Sequence, residues 1–236
     1  IPLSDGSFTK LEKRGLSERI FFAQGAGYDL LKDSVPHQLV DCNIPDFLHK
    51  KFCDIAESED FNISFLTCPL LEKLFLRLLP ADWQHARQVI WIPGSEGHPS
   101  LQWMGHLWNY LKSFCDDLSL FYKWPILPVE NNHLLQLVKN SNVIKDGGWS
   151  ENMCTLLLRV GCLILRRDLL IEHRELNDYV QPPTAVGILS AFVAVAGDPS
   201  NVEALFNGAS EGELHELRSY VLQSKWFCED VLDSTH

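Results

Sequence analysis

The sequence predicts an α+β fold, rich in helix, built from two similar hairpin–strand–helix–strand–helix units with small mixed sheets. Short apolar stretches bounded by Gly, Asn, Asp and Pro read as strands. Longer stretches with apolar residues at i, i+3, i+4 and i+7 read as helices. The order of these elements then restarts near residue 124, which marks an internal duplication.

The elements follow in order. Ile1 to Leu11 reads as a hairpin turning at Asp5-Gly6, a strong two-residue turn signal. Arg19 to Gln24 is strand-like and ends in Gly25-Ala26-Gly27, and His37 to Cys42 alternates like a second strand. Asp46 is placed to cap a helix to about Glu57, with Phe47, Leu48, Phe52 and Ile55 on one face. Thr67 is placed to cap another, with Pro69 in its first turn and Leu70, Leu71, Leu74, Phe75 and Leu78 in helical period until Pro80. Val89 to Ile92 is a short strand, and the loop PGSEGHP leads to a helix opened by Ser100 with Trp103, Leu107, Leu111 and Phe114 in a broad stripe.

From Leu127 to Leu134 the sequence echoes Ile1 to Phe8 at an offset of 126. Val143-Ile144 before Gly147-Gly148 echoes Phe21-Phe22 before Gly25-Ala26 at 122, and Leu163-Ile164 echoes Leu39-Val40 at 124. The expected units are therefore 1–123 and 124–236, the second with extra C-terminal helices. Thr184 caps the first of these, whose Val186, Ile188, Leu189, Phe192, Val193 and Val195 surround it, so burial is expected. Ser210 and Glu213 form a capping box for a last helix ending at Trp226-Phe227. Phe121 to Pro125 is too apolar for a flexible linker, so one compact body is expected.

Composition narrows the function. The 236 residues are 46% hydrophobic, and 20 Lys+Arg against 31 Asp+Glu give a net charge of −11. An acidic chain lacks the basic footprint of a nucleic-acid binder. No apolar run approaches the roughly 20 residues of a membrane helix. Seven scattered cysteines, an odd count without a CxxC, read as reduced thiols of a cytosolic or nuclear protein. Asn62-Ile63-Ser64 is a chance sequon in that setting. The start at Ile-Pro-Leu, without Met or signal peptide, reads as a piece of a longer chain.

No complete catalytic set is legible. GxxxxGK[ST] and GxGxxG are missing, and Asp146-Gly147-Gly148 reads as a turn before the Ser150 cap rather than a phosphate cradle. The nine His sit singly without HExxH or zinc spacing. His49 and Cys53 share a predicted helix face, where a core thiol beside a half-exposed imidazole is the simpler reading. Gly94-Ser95-Glu96-Gly97-His98 holds a Ser, a carboxylate and a His, but neighbours on one loop do not readily form a triad. Asp116-Asp117 and Glu229-Asp230 read as solvated helix ends. No catalytic, metal or cofactor-binding residue is assigned, and no cofactor is expected. Seven Trp and thirteen Phe are the remaining signal. Trp103 and Trp108, five apart, point to different helix faces; an all-core placement is the simpler reading, and the alternative is a partner-binding patch with Trp103, Trp108 and Trp149 as its candidate residues.

The stretches IPLSDGSFTKL, HPSLQWMGHLWNYL, WPILPVENNHLLQL and SEGELHELRSYVLQSKWF resemble sacsin-family sequence, of the plant giant type, over nearly the whole chain. The resemblance implies a segment of a very large repeat lying downstream of a heat-shock-type ATPase module, in a chaperone-like scaffold that carries ubiquitin-like or RING modules elsewhere. It carries over no catalytic residue. The expected function is a non-catalytic, cytoplasmic segment that binds client proteins or neighbouring repeats. Two alternatives stand beside it: a nucleotide-linked or hydrolytic enzyme whose site is assembled from residues such as His98, Glu96 and Asp146, and the scaffold region of a RING-type ubiquitin ligase.

Overall fold

Strand pairing in the first half follows from where the apolar stretches run. The computed structural model describes residues 1–223. Strand β1 (Ile20–Phe22) is followed by the Gly25 turn, helix α1 (Ala26–Leu31) and an extended pair, Leu39-Val40, that returns parallel beside β1 through the Phe21–Leu39 bridge. Helix α2 (Asp46–Ser58) then leads to β2 (Ile63–Phe65), parallel to β1 on its other side. Beyond Val40 lies the N-terminal turn, where Pro2 bridges Phe8 and Leu3 bridges Val40. The predicted hairpin is a tight turn with isolated bridges. Gly6 takes a left-handed φ of 83° there, and the Leu3 N–H donates to the Ser7 carbonyl at 2.9 Å.

The second half repeats this pairing. Strand β6 (Val143–Ile144), helix α5 (Glu151–Arg159) and β7 (Leu163–Ile164) form the same parallel strand–helix–strand, with Gln181 bridging Ile144 on the far side. The hairpin is enlarged into β4 (Pro125–Val129) and β5 (His133–Gln136), with β3 (Gln88–Ile90) added outside β5. Hydrogen bonds set the register of the duplication. The Ser4 N–H donates to Leu39 O at 2.8 Å and the Glu130 N–H to Ile164 O at 2.9 Å; the Val40 N–H donates to Phe21 O and the Leu165 N–H to Ile144 O, both at 2.9 Å. Ile164 thus matches Leu39 and Ile144 matches Phe21. The equivalence read from sequence is right in order and one residue out at both strands, because residue identity there is too thin to fix a register that side-chain alternation makes decisive.

The remaining helices are α3 (Cys68–Leu78), α4 (Leu101–Phe114), α6 (Ala185–Ala196) and α7 (Glu211–Gln223). Ser100, Ser150 and Thr184 cap α4, α5 and α6, accepting from the N–H groups of Trp103, Met153 and Gly187. Thr67 precedes α3 without a side-chain cap, since Pro69 removes one of the donors it would satisfy. Pro45 takes the cap position of α2, leaving Asp46 in the first turn. Of His37 to Cys42, only Leu39-Val40 joins the sheet, because Pro36 starts a 3-10 turn over Pro36–Gln38. Helix α6 is buried through Ile188, Ala191 and Phe192 but leaves Val186 and Leu189 exposed, against the expectation of burial all round.

The chain divides into two units that are discontinuous in sequence. The first comprises Ile1–Asp82, Pro93–Leu120 and Leu170–His173; the second comprises Trp83–Ile92, Phe121–Leu169 and the chain from Arg174 onward. A split at 123/124 therefore describes only their main segments. In the first unit Leu3, Ile20, Phe22, Val40, Phe52 and Ile63 cluster around the parallel strands. In the second, Ile144, Met153, Leu156, Ile164, Ile188 and Phe192 do so. The reading of every cysteine as reduced is corrected at one pair: Cys68 and Cys115 form a disulfide across 47 residues of the first unit. Sequence spacing gave no hint of it, since the two are brought together by the start of α3 and the end of α4.

Candidate partner-binding surface

The three candidate tryptophans are core. Trp103 is 8% exposed, Trp108 0% and Trp149 7%. Trp103 packs against Phe75 with ring centroids 6.3 Å apart, while Met104, Leu107, Tyr110 and Leu111 of the same helix are buried as well. Residues five apart on a helix are about 140° apart, so both indoles bury only where the covered arc is wide, as it is around α4. Trp149 lies over Gly147, where a Cβ would come within 2.6 Å of the indole, and meets Tyr220 edge-on at 5.9 Å. As folded, none of the three offers an aromatic anchor to a partner.

An aromatic-lined opening in the first unit lies elsewhere. Phe22, Phe65, Tyr110 and Phe114, with Ala23, Leu66 and Gly27, line an open cavity of about 380 Å³. Tyr110 stacks on Phe114 at 5.2 Å and donates its hydroxyl to Leu66 O at 3.0 Å, while burial pushes its phenol up to about 12. Phe114, the last residue of α4, is 59% exposed at the rim. The sequence placed Phe114 in the α4 stripe but held no sign that α4 ends at an opening.

Cys53 and Gln24 also line this cavity, and His49 lies one helical turn before Cys53 on α2. The Cys53 Sγ is 3.9 Å from His49 Nδ1, and the Gln24 amide contacts His49 Nε2. Such an order of thiol, imidazole and amide is one a nucleophilic cysteine uses. Burial, then Glu57 and Asp54, raise the Cys53 thiol, so the protonated, weakly nucleophilic form is favoured.

Of the residues named for an assembled site, Glu96 and His98 belong to the first unit, and Asp146 belongs to the second, where it pairs with Arg167 Nε at 3.1 Å. Asp146-Gly147-Gly148 is a turn, with the Gly148 N–H donating to Asp146 Oδ1 at 3.2 Å and a left-handed φ of 69° at Gly148. Asp117 accepts from the Ser119 N–H and hydroxyl, both at 2.7 Å, and so caps the following turn. Glu229-Asp230 and Trp226-Phe227 lie outside the described residues. Among the described residues no group of three or more His, Cys, Asp and Glu is placed to hold a metal ion. A second cavity, of about 500 Å³ in the second unit, is lined by Glu130, Cys154 and Arg167. There the guanidinium donates to Cys154 Sγ at 3.0 Å, yet burial still holds that thiol above its ordinary value.

No protein-family model matches the chain, and neither the curated proteins nor the solved structures contain a match. No described helix is long and apolar enough by itself to cross a membrane.

Proposed function

We propose that the chain is a non-catalytic, polypeptide-binding segment of a giant sacsin-like, chaperone-type scaffold of the cytoplasm, holding client proteins or neighbouring repeats of its own parent. The observation that carries this reading is the open aromatic cavity of the first unit. A concave apolar site with few polar groups suits bulky apolar side chains of another polypeptide, and aromatic rims such as Phe114 are common anchors. The resemblance to sacsin sequence supplies the parent architecture. Odd, scattered cysteines support a reducing compartment, and the Cys68–Cys115 bond weighs against it; trapping thiols with an alkylating agent at cell lysis decides between the two.

The test is light scattering of a chemically unfolded model protein. The wild-type chain should delay its aggregation, and Phe114→Ser should weaken the delay without changing the circular dichroism spectrum. A wild-type chain without effect would remove the reading, and heat of binding from ATP with magnesium would remove its non-catalytic part.

A further inference from the structure

Among the described residues, the second unit has an unpaired sheet edge. Among those residues strand β3 pairs with β5 alone, in the order β3-β5-β4, and the far edge of β4 is met by the Val129–Leu165 bridge. The Gln136 N–H donates to Arg87 O at 3.0 Å and the Trp91 N–H donates to Asn132 O at 2.8 Å. Antiparallel pairs alternate between bonded and non-bonded positions, so with Val89 opposite Leu134 the bonded positions are Arg87, Val89 and Trp91. The N–H and C=O groups of Gln88 and Ile90 therefore face away from β5, and among the described residues they have no hydrogen-bond partner. Side chains alternate in the same way. Trp91 is buried beneath the Arg166 guanidinium, 5.2 Å from its ring, while Ile90 and Ile92 are 64% and 54% exposed on the opposite face.

A free edge with adjacent exposed isoleucines is what natural sheets usually blunt with charge or proline. From this unpaired, apolar edge we infer that β3 takes up an extended segment of another polypeptide as an added strand, apolar at alternate positions and acidic at its flank. Main-chain pairing would supply the contact, and Ile90 and Ile92 would select the apolar residues. The charge preference comes from the surroundings. In a chain of net charge −11, no carboxylate side chain occurs between Asp82 and Glu96, nor in β5, and the exposed Arg87 lacks an ion-pair partner among the described residues. A second copy is a poor occupant. The three-residue β3 is about 10 Å long, and self-pairing over that length falls far short of the roughly 1,200 Å² a stable interface buries. This inference rests on the polypeptide-binding reading above and names one surface for it.

The probe is a fluorescein-labelled peptide alternating Val and Thr between terminal Asp residues, titrated into the full chain and followed by anisotropy. Binding should be lost when the peptide's alternate amides are N-methylated, a change that leaves the protein untouched. It should weaken about tenfold with Ile90→Lys, from the loss of one buried isoleucine contact. Absence of binding, or binding indifferent to both changes, overturns the edge. A concentration-dependent dimer in sedimentation that Ile90→Lys abolishes overturns the peptide as occupant in favour of a second copy. Failure of the two readings is distinguishable: a wild-type chain that binds the peptide without delaying aggregation removes the chaperone-type reading and keeps the edge. One that delays aggregation equally with and without Ile90→Lys, and binds no peptide, does the reverse.

Discussion

Asn62 does more in this molecule than its place in a sequon suggested. Its side chain is buried, accepting from the Glu12 N–H at 3.0 Å and donating to Ser17 Oγ at 2.9 Å, while its own N–H donates to Glu12 O at 2.9 Å. It ties the irregular segment before β1 to the start of β2. Asn62→Ala should destabilise the first unit by about 1 kcal/mol, since it leaves the half-buried Glu12 N–H without its acceptor; the shift of the urea midpoint measures it, and an unchanged midpoint would refute the role. Nothing in the sequence marks this, because a satisfied buried amide and an exposed one read alike until their neighbours are known. The tryptophans illustrate the same limit from the other side. Their spacing correctly separates two faces of α4, but only the packing of surrounding elements reveals that both faces are covered. The Cys68–Cys115 pairing was equally illegible, as it depends on two helix ends far apart in sequence.

At the scale of elements, local signals were informative wherever the backbone geometry depends on a few neighbouring residues. Ser100, Ser150 and Thr184 act as the caps their types predict. The Ser210–Glu213 box closes α7, with the Ser210 N–H donating to Glu213 Oε2 at 2.8 Å and the Glu213 N–H to Ser210 Oγ at 3.4 Å. The Ser210 hydroxyl, which donates to Glu213 Oε2 at 2.7 Å, then the Ser210 N–H and Arg159 hold the Glu213 carboxyl down at about 2 from an ordinary 4.5. The lowered value favours the folded state above pH 4.5, and the advantage fades as the pH falls through about 2. Replacing Glu213 with Gln should accordingly flatten the acid side of the stability profile, read from urea midpoints across that window, and leave the neutral side less stable than wild type. Equal slopes for both proteins would show that the box contributes nothing. Strands were harder to read than helices. Leu39-Val40 contributes an extended pair rather than a full strand, and its partners are settled by bonds to Phe21 and Ser4, which no local pattern encodes.

For the whole molecule, the α+β class and the doubled arrangement were legible because element order survives even where residue identity has faded. The boundaries were not, since exchange of short segments between units leaves no mark in composition. Trp83–Ile92 brings β3 to the second unit, and Leu170–His173 returns to the first, where Ile171 is buried, Lys112 pairs with Glu172 and a His173 ring nitrogen is 2.9 Å from Cys115 O. Expressed separately, 1–123 and 124–236 should both show weaker amide protection than the same residues in the intact chain. The C-terminal piece should be the more prone to aggregate, for want of β3 beside β5. Protection equal to that of the intact chain in both pieces would contradict the exchange.

The exchange also orders events during synthesis. A ribosome releases the chain from its N-terminus, so the first unit cannot complete its packing until Leu170–His173 has emerged, by which time most of the second sheet is already available. The first unit therefore waits on the 49 residues between Leu120 and Leu170 for its last segment.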